Sequence, residues 1–577
     1  MGYQLSPGVN VSEIDLTTIV PAVSTSAGAF AGAFRWGPVN KVKLIDSEIT
    51  LAKTFGTPDS NSAVSFFTSA SFLAYGSSLY AVRSANSRTY NADANTAASN
   101  VQIANQDIFQ YSYLNTNNAN AYGAFMARYP GELGNSLSVA VCANTTAFST
   151  WTYAGYFPSA PNTSDYAARF NVSAKDEMHI AVIDTLGRFS GTKGTVLETF
   201  PFVSKASDAN SQGNSAYYKQ VIFDTSKYIY AIDPTDYANT SNTWGTAASL
   251  GNAYIGANTA QLISLTGGSD GAVVDADIIR AQNLFVDKDA YNISLVLTGD
   301  ASVAVQQNAI DNICLVRTDC IALISPPQSA VINQSGSETT NITTWLTNLA
   351  RSTSYAVADS GWKYQYDVYN NVYRWIPLNG DIAGLCVYTD TTRDPWYSPA
   401  GFNRGSIRNA IKLAWNPTKT YRDSLYSSGV NPVVAFPGQG IVLYGDKTLQ
   451  AKPSAFDRIN VRRLFIVLEK AISNAAKYSL FEFNDEFTRA QFVALVAPFL
   501  RDVQGRRGIT DFKVVCDSTN NTPQVVDSNQ FVGDIYIKPA RSINFIQLNF
   551  IAVATGVEFS TVVGTYNSLS KPNIFSV

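Results

Sequence analysis

AVVDADIIRAQNLFVDKDAYNISLVLTGDASVAVQQNAIDNICLVRTDCIALIS fills residues 272–325, and its texture decides the fold class. The opening AVVDADIIRAQNLFV has helical spacing, and NISLVLTG is a short apolar run of the kind a buried strand requires. The pair then repeats, with a second helix expected over roughly 303–316 and a second buried strand in CIALIS. Helix–strand alternation at this spacing predicts an α/β layer.

Upstream the pattern changes. Residues 124–256 read mainly as strands with polar turns, most clearly MHIAVID (178–184) and TVLETFPFV (195–203). The stretch 91–122 is crowded with Asn, Ala, Thr and Ser and reads as a loop-like surface insertion. Residues 21–83 are mixed: a small-residue strand near 27–34, a helix over 63–75 and a strand over 79–82. At the start, Val9 and Val11 alternate with Asn10 and Ser12 between Pro7–Gly8 and Pro21. A lone strand of this kind cannot bury its own faces, so it reads as an arm.

Downstream, from about 354, come several strands, two long amphipathic helices and paired strands ending near 553. There Ile546, Leu548 and Phe550 share one strand face, beside a strand over 535–537 that ends at Pro539. A second loose segment follows Gly556, with a strand pattern over 557–563 that includes Val557 and Phe559. The expected organisation is a mixed α/β (α+β) multidomain chain. It has an arm (1–20), a middle region (21–90 and 123–350) that is β-rich then α/β, and a surface insertion (91–122). An α/β C-terminal domain (351–555) and a second arm (556–577) complete it.

The first late helix carries one apolar stripe, Val461, Leu464, Phe465, Leu468, Ile472 and Ala475, and a basic set, Arg463, Lys470 and Lys477, repeating every seven residues. The second carries Phe492, Leu495, Val496, Phe499 and Val503, with Asn484 or Asp485 placed to cap it and Pro498 expected to kink or break it. Residues 451–512 hold ten Lys/Arg against seven Asp/Glu, in a chain whose net charge is −3. Positive charge is therefore concentrated in these two helices.

Composition narrows the chemistry. The chain has 577 residues, 46% hydrophobic and only 15% charged, so Ser, Thr, Asn, Ala, Gly and 31 Tyr must cover much of its surface. No global basic field exists to hold nucleic acid. A single histidine, His179, removes multi-histidine metal sites and most acid–base networks. The five cysteines, Cys142, Cys314, Cys320, Cys386 and Cys516, have no C-x-x-C spacing and read as scattered buried thiols of a reducing compartment. The start MGYQLSPGV lacks the apolar core of a leader, and no apolar run reaches membrane-spanning length. Gly2 with Ser6 fits a myristoylation pattern only formally, with no second membrane signal beside it.

Two motifs imitate enzymes. GGSDG (267–271) is a formal nucleophile elbow around Ser269, but His179 lies before it and no other histidine can act as base. GIVLYGDKT (440–448) departs from a phosphate loop because Asp446 stands where lysine must follow glycine. No cofactor or metal is expected, and His179 reads as a structural histidine.

SPGVNVSEID (6–15) resembles the opening of contractile phage tail sheath proteins. GAFAGAFRWGP (28–38), ARYPGELGNSLSV (127–139), LTGGSDG (265–271) and RTDCIALISPP (317–327) are similar to further signatures in the same order. The likeness is closest in PGQGIVLYGDKTL (437–449), INVRRLFIVLEKAI (459–472), FLRDVQGRRGITDFKVVCDSTNNT (499–522) and DIYIKPARSINFIQLNF (534–550). The resemblance implies a virion structural subunit, not an enzyme. It would polymerise with itself as a helical sleeve around an inner tail tube, assemble in the host cytoplasm, meet baseplate and terminator proteins, and contract to drive the tube through the host envelope. The alternatives are the sheath of a phage-derived injection particle or another self-assembling shell. On this resemblance the arms (Val9, Val11, Val557, Phe559) link neighbours by strand exchange onto the sheet of Ile546, Leu548 and Phe550. Part of the set Arg463, Lys470, Lys477, Arg501, Arg506 and Arg507 faces the tube.

Overall fold

A computed structural model describes residues 25–95, 100–114, 122–232, 243–544 and 546–548. Of these residues, those up to Ala540 belong to one compact unit and those from Arg541 to a second.

The α/β layer predicted around 272–325 is the middle of a seven-stranded sheet. Its order is Val430–Asn431, Ala356–Asp359, Ile321–Ile324, Leu295–Leu297, Gly28–Ala33, Leu79–Ser84 and Lys43–Ile45. All neighbours are parallel except the last pair. Alternate residues of each central strand feed opposite faces. Phe30, Leu295, Leu297, Ile321 and Leu323 enter one core, and Ala29, Ala31, Val296, Ala322 and Ile324 the other. Burial on both faces is what a parallel sheet between helix layers requires. The expected boundary near residue 350 is corrected here, because Ala356–Asp359 and Val430–Asn431 continue this same sheet. Parallel neighbours are recruited by long crossovers, so they lie far apart in sequence.

Helices Ala63–Leu73 and Asn379–Thr392 cover the first face. They approach closely because Gly380 carries no side chain: a Cβ there would collide with the Thr68 carbonyl. The other face is covered by Asp275–Gln282, the helical run from Val303 to Arg317, and Glu338–Leu349.

The β-rich region is a four-stranded antiparallel sheet ordered Gln261–Ser264, Leu137–Cys142, Glu177–Asp184 and Thr195–Ser204. The stretch 91–122 is not a surface loop throughout. Asn91, Ala92 and Asp93 are buried, and helix Gln106–Ser112 places Phe109 in a small core, stacked 3.8 Å from Tyr230. Its polar composition misleads because Asn91 acts inside: it donates to the Ala127 carbonyl and accepts from the Ile103 amide.

Near the end of the first unit, helices Ile459–Ala476 and Glu486–Gly505 pack with a two-stranded sheet, Ile509–Val515 against Asp534–Pro539. Asp485 caps the second helix by accepting from the Thr488 amide (2.8 Å), and Pro498 lies within that helix without breaking it. The strand over 535–537 pairs with Ile509–Val515, a partner the sequence reading did not give it, and among the described residues it has no pairing with the segment around Ile546. Ile546 and Leu548 are exposed and outside any strand, and Phe550 lies beyond the described residues.

A polar network sits inside the main sheet. Ser325 Oγ (2.6 Å) and the Gly361 amide (2.9 Å) both donate to Asp359, and burial pushes this carboxyl up to about 8. The folded protein therefore holds a proton that the unfolded chain releases near pH 4. This group's contribution to stability is full below about pH 4 and is lost as pH rises through about 8. Asp359→Asn is expected to flatten that loss, read as the difference in denaturation midpoint between pH 5 and pH 8. An unchanged difference would contradict the assignment.

Candidate assembly interface

The enzyme-like motifs have structural roles. Ser269 Oγ donates to the Arg88 carbonyl (3.2 Å). Its neighbour Asp270 lines a cavity of about 530 Å³ at the C-terminal ends of Gly28–Ala33, Leu79–Ser84 and Leu295–Leu297. This is the position where an open parallel sheet reverses its strand order and where ligands commonly sit. Arg83 on its wall is already committed, donating to the carbonyls of Phe34, Gly37 and Pro130. Arg35 lies 3.6 Å from Asp59, whose carboxylate also accepts from Ser62 Oγ (2.7 Å) and from the Asn61 and Ser62 amides, a local turn ahead of helix Ala63–Leu73.

Asp446 is buried, accepting from Ser398 Oγ (3.0 Å) and the Tyr426 hydroxyl (3.2 Å). His179 is buried among Phe148, Trp151, Phe157 and Phe202. Its Nδ1 accepts from the Phe202 amide, which leaves Nε2 to donate to the Ser159 carbonyl, and burial lowers its pKa. All five cysteines are buried and free. Among the described residues no cluster of three or more His, Cys, Asp or Glu could hold a metal, and no helix is long and apolar enough to cross a membrane.

The basic set divides. Arg463 is buried, with its guanidinium on Asp390 (2.6 Å) and the Cys386 carbonyl (3.2 Å). Lys470 donates to the Ile293 carbonyl (2.6 Å) and Ser294 Oγ (2.8 Å). Both therefore act within the fold: Arg463 ties the first long helix to helix Asn379–Thr392, and Lys470 ties it to the residues leading into strand Leu295–Leu297. The seven-residue period could not show this, because their partners are remote in sequence. Arg506 is engaged by Asp394 and Asp502. Lys477, Arg501 and Arg507 are exposed.

Asp390 also accepts from Thr25 Oγ1 (2.7 Å). The root of the N-terminal segment is thus fastened beside the first long helix. Val9, Val11, Val557 and Phe559 lie outside the described residues. The sheet Ile509–Val515/Asp534–Pro539 is two-stranded, and no third strand pairs with either edge among the described residues. Unpaired edges are templates for added strands.

One feature escaped the sequence reading. Tyr478, Leu480, Phe481, Phe483 and Phe487, at the turn between the two long helices, are 61–105% exposed. The signal was available in YSLFEFNDEF (478–487), where five large apolar side chains in ten residues fit no helical stripe.

Comparison with known proteins gives one consistent result. Residues 276–449 match the family described as phage tail sheath protein central domain, and 451–552 match the phage tail sheath C-terminal domain. The tail sheath protein of Vibrio phage KVP40 is 34% identical, aligned over 97% of this chain and 100% of its own. That of Enterobacteria phage T4 is 32% identical over 97% and 99%. In fold, the chain resembles the crystal structure of a sheath tail protein from Listeria innocua. The TM-score is 0.52 at 11% identity, covering 90% of this chain and 96% of that one.

Proposed function

The chain belongs to the phage tail sheath protein family, and on that premise we propose that it polymerises helically around an inner tail tube and contracts to drive the tube through the host envelope. The observations that carry the mechanism are the two-stranded sheet Ile509–Val515/Asp534–Pro539, whose outer edges are unpaired among the described residues, and the anchored root of the N-terminal segment at Thr25. Arms from neighbouring copies complete such a sheet, in the manner of strand addition. The subunit turns over no substrate and needs no cofactor. The work of contraction comes from a metastable extended state, as conformational energy held behind a barrier. Its partners are further copies of itself, the tail tube, and the baseplate and terminator proteins. It neither binds nucleic acid directly nor inserts stably in a membrane, and it assembles in the host cytoplasm before serving in the virion tail.

Contact with the tail tube falls to the exposed remainder of the basic set, Lys477, Arg501 and Arg507, set against acidic residues of the tube. Each exposed contact is worth about 0–1 kcal/mol, which suits a sleeve that must release its tube. Arg501→Glu with Arg507→Glu is expected to impair assembly on tail tubes more than self-assembly into empty sleeves. Equal loss of both, or of neither, in electron micrographs of the two reactions would reject this contact.

A further inference from the structure

The loop 478–487 combines apolar surface with acid. Between its exposed rings stand Glu482, Asp485 and Glu486, all exposed, and neither glutamate forms an ion pair among the described residues. At about 150–250 Å² per aromatic side chain, the loop exposes on the order of 800 Å². That is close to one partner's share of a stable protein interface, roughly 800 Å², and larger than the apolar patches monomers usually leave in water. The carboxylates disfavour an anionic lipid surface.

A complementary patch lies elsewhere on the same unit. Phe402, Phe436 and Tyr444 form an aromatic cluster with centroids 5.1–6.0 Å apart. Phe402 and Tyr444 are exposed. The Arg422 guanidinium lies 5.5 Å from the Phe436 ring and 5.7 Å from the Tyr444 ring. No carboxylate pairs with it among the described residues, and the adjacent Asp423 is taken by Lys419. Within one chain the loop and this patch are both exposed, so neither covers the other.

From this complementarity of aromatic surface and charge we infer that the loop 478–487 of one copy docks on the Phe402–Phe436–Tyr444–Arg422 patch of the next copy. Two different patches meeting head to tail make a heterologous contact, which builds an open helix when the rotation does not close. The aromatic side chains supply desolvated anchors, and Arg422 receives Glu482 or Glu486 at the rim. The inference rests on the sheath reading and adds a side-chain contact to the strand exchange proposed above.

The test uses the full-length protein, scored as the lowest protein concentration that gives sleeves in electron micrographs, with circular dichroism confirming that each variant folds. Phe481→Ser with Phe483→Ser changes only exposed side chains and is expected to raise that concentration tenfold or more, as is Glu482→Arg with Glu486→Arg, and as is Arg422→Glu. Combining all three charge reversals is expected to return it to within about threefold of the unmodified protein. Serine variants that assemble at the unmodified concentration would overturn the inference while leaving the sheath reading intact. So would a combined variant no better than its worst component, or a defect seen only on tail tubes, which would assign the loop to the tube. If the unmodified protein forms no sleeves at any concentration, the sheath reading falls and this inference with it.

Discussion

Removing residues 1–16 is expected to leave a folded, soluble protein that no longer forms sleeves. The deletion spares both cores of the main sheet, whose first strand begins at Gly28, and it spares the Thr25–Asp390 contact. What it takes away is the proposed linking arm with Val9 and Val11, for which the sheet Ile509–Val515/Asp534–Pro539 has edges left unpaired among the described residues. An added strand of about five backbone hydrogen bonds, at roughly 0.5–1.5 kcal/mol each, contributes a few kcal/mol per junction. Repeated along a sleeve, that decides whether the polymer exists. Val9→Pro with Val11→Pro should act like the deletion, because proline removes ladder donors. Such arms would also let subunits rotate during contraction while the shared sheets stay paired. Sleeves of normal appearance from either variant would refute strand exchange.

The largest expected effect on stability is at Lys363. Its ammonium donates to Asp381 Oδ1 (2.9 Å) and the Arg408 carbonyl (3.1 Å), and both members of the ion pair are essentially inaccessible to water. Burial raises the Asp381 pKa, and Lys363 opposes that rise. Lys363→Ala leaves an uncompensated buried carboxylate and is expected to cost about 3–5 kcal/mol. Lys363→Met combined with Asp381→Leu removes both charges and should cost much less, since a buried pair is worth little against an apolar replacement. Chemical denaturation followed by tryptophan fluorescence checks both. A single variant within about 1 kcal/mol of the unmodified protein, or a double variant worse than the single, would contradict this account.

Much of this architecture could be read from local pattern. The stripe Val461, Leu464, Leu468, Ile472 and Ala475 is buried, Asp485 caps the helix it precedes, and 272–325 alternates helix and strand as its texture predicts. What local pattern cannot show is which strands meet. Gly28–Ala33 pairs with Leu295–Leu297, 267 residues further along the chain (Gly28 opposite Leu295), and nothing in GAFAGA names that partner. The same limit explains the basic residues. Arg463 and Lys470 fit a solvated face by spacing, but their partners Asp390 and Ile293 come from elements 73 and 177 residues away. Asn91 shows a third case, a polar residue that is buried because its amide satisfies backbone groups that would otherwise be unpaired.

Electron microscopy of the purified full-length protein bears most directly on the claim that this chain builds a contractile sleeve from its own copies. Helically striated hollow tubes are the predicted result, lost on removal of residues 1–16. Closed shells, or a monodisperse monomer at every concentration, would contradict it.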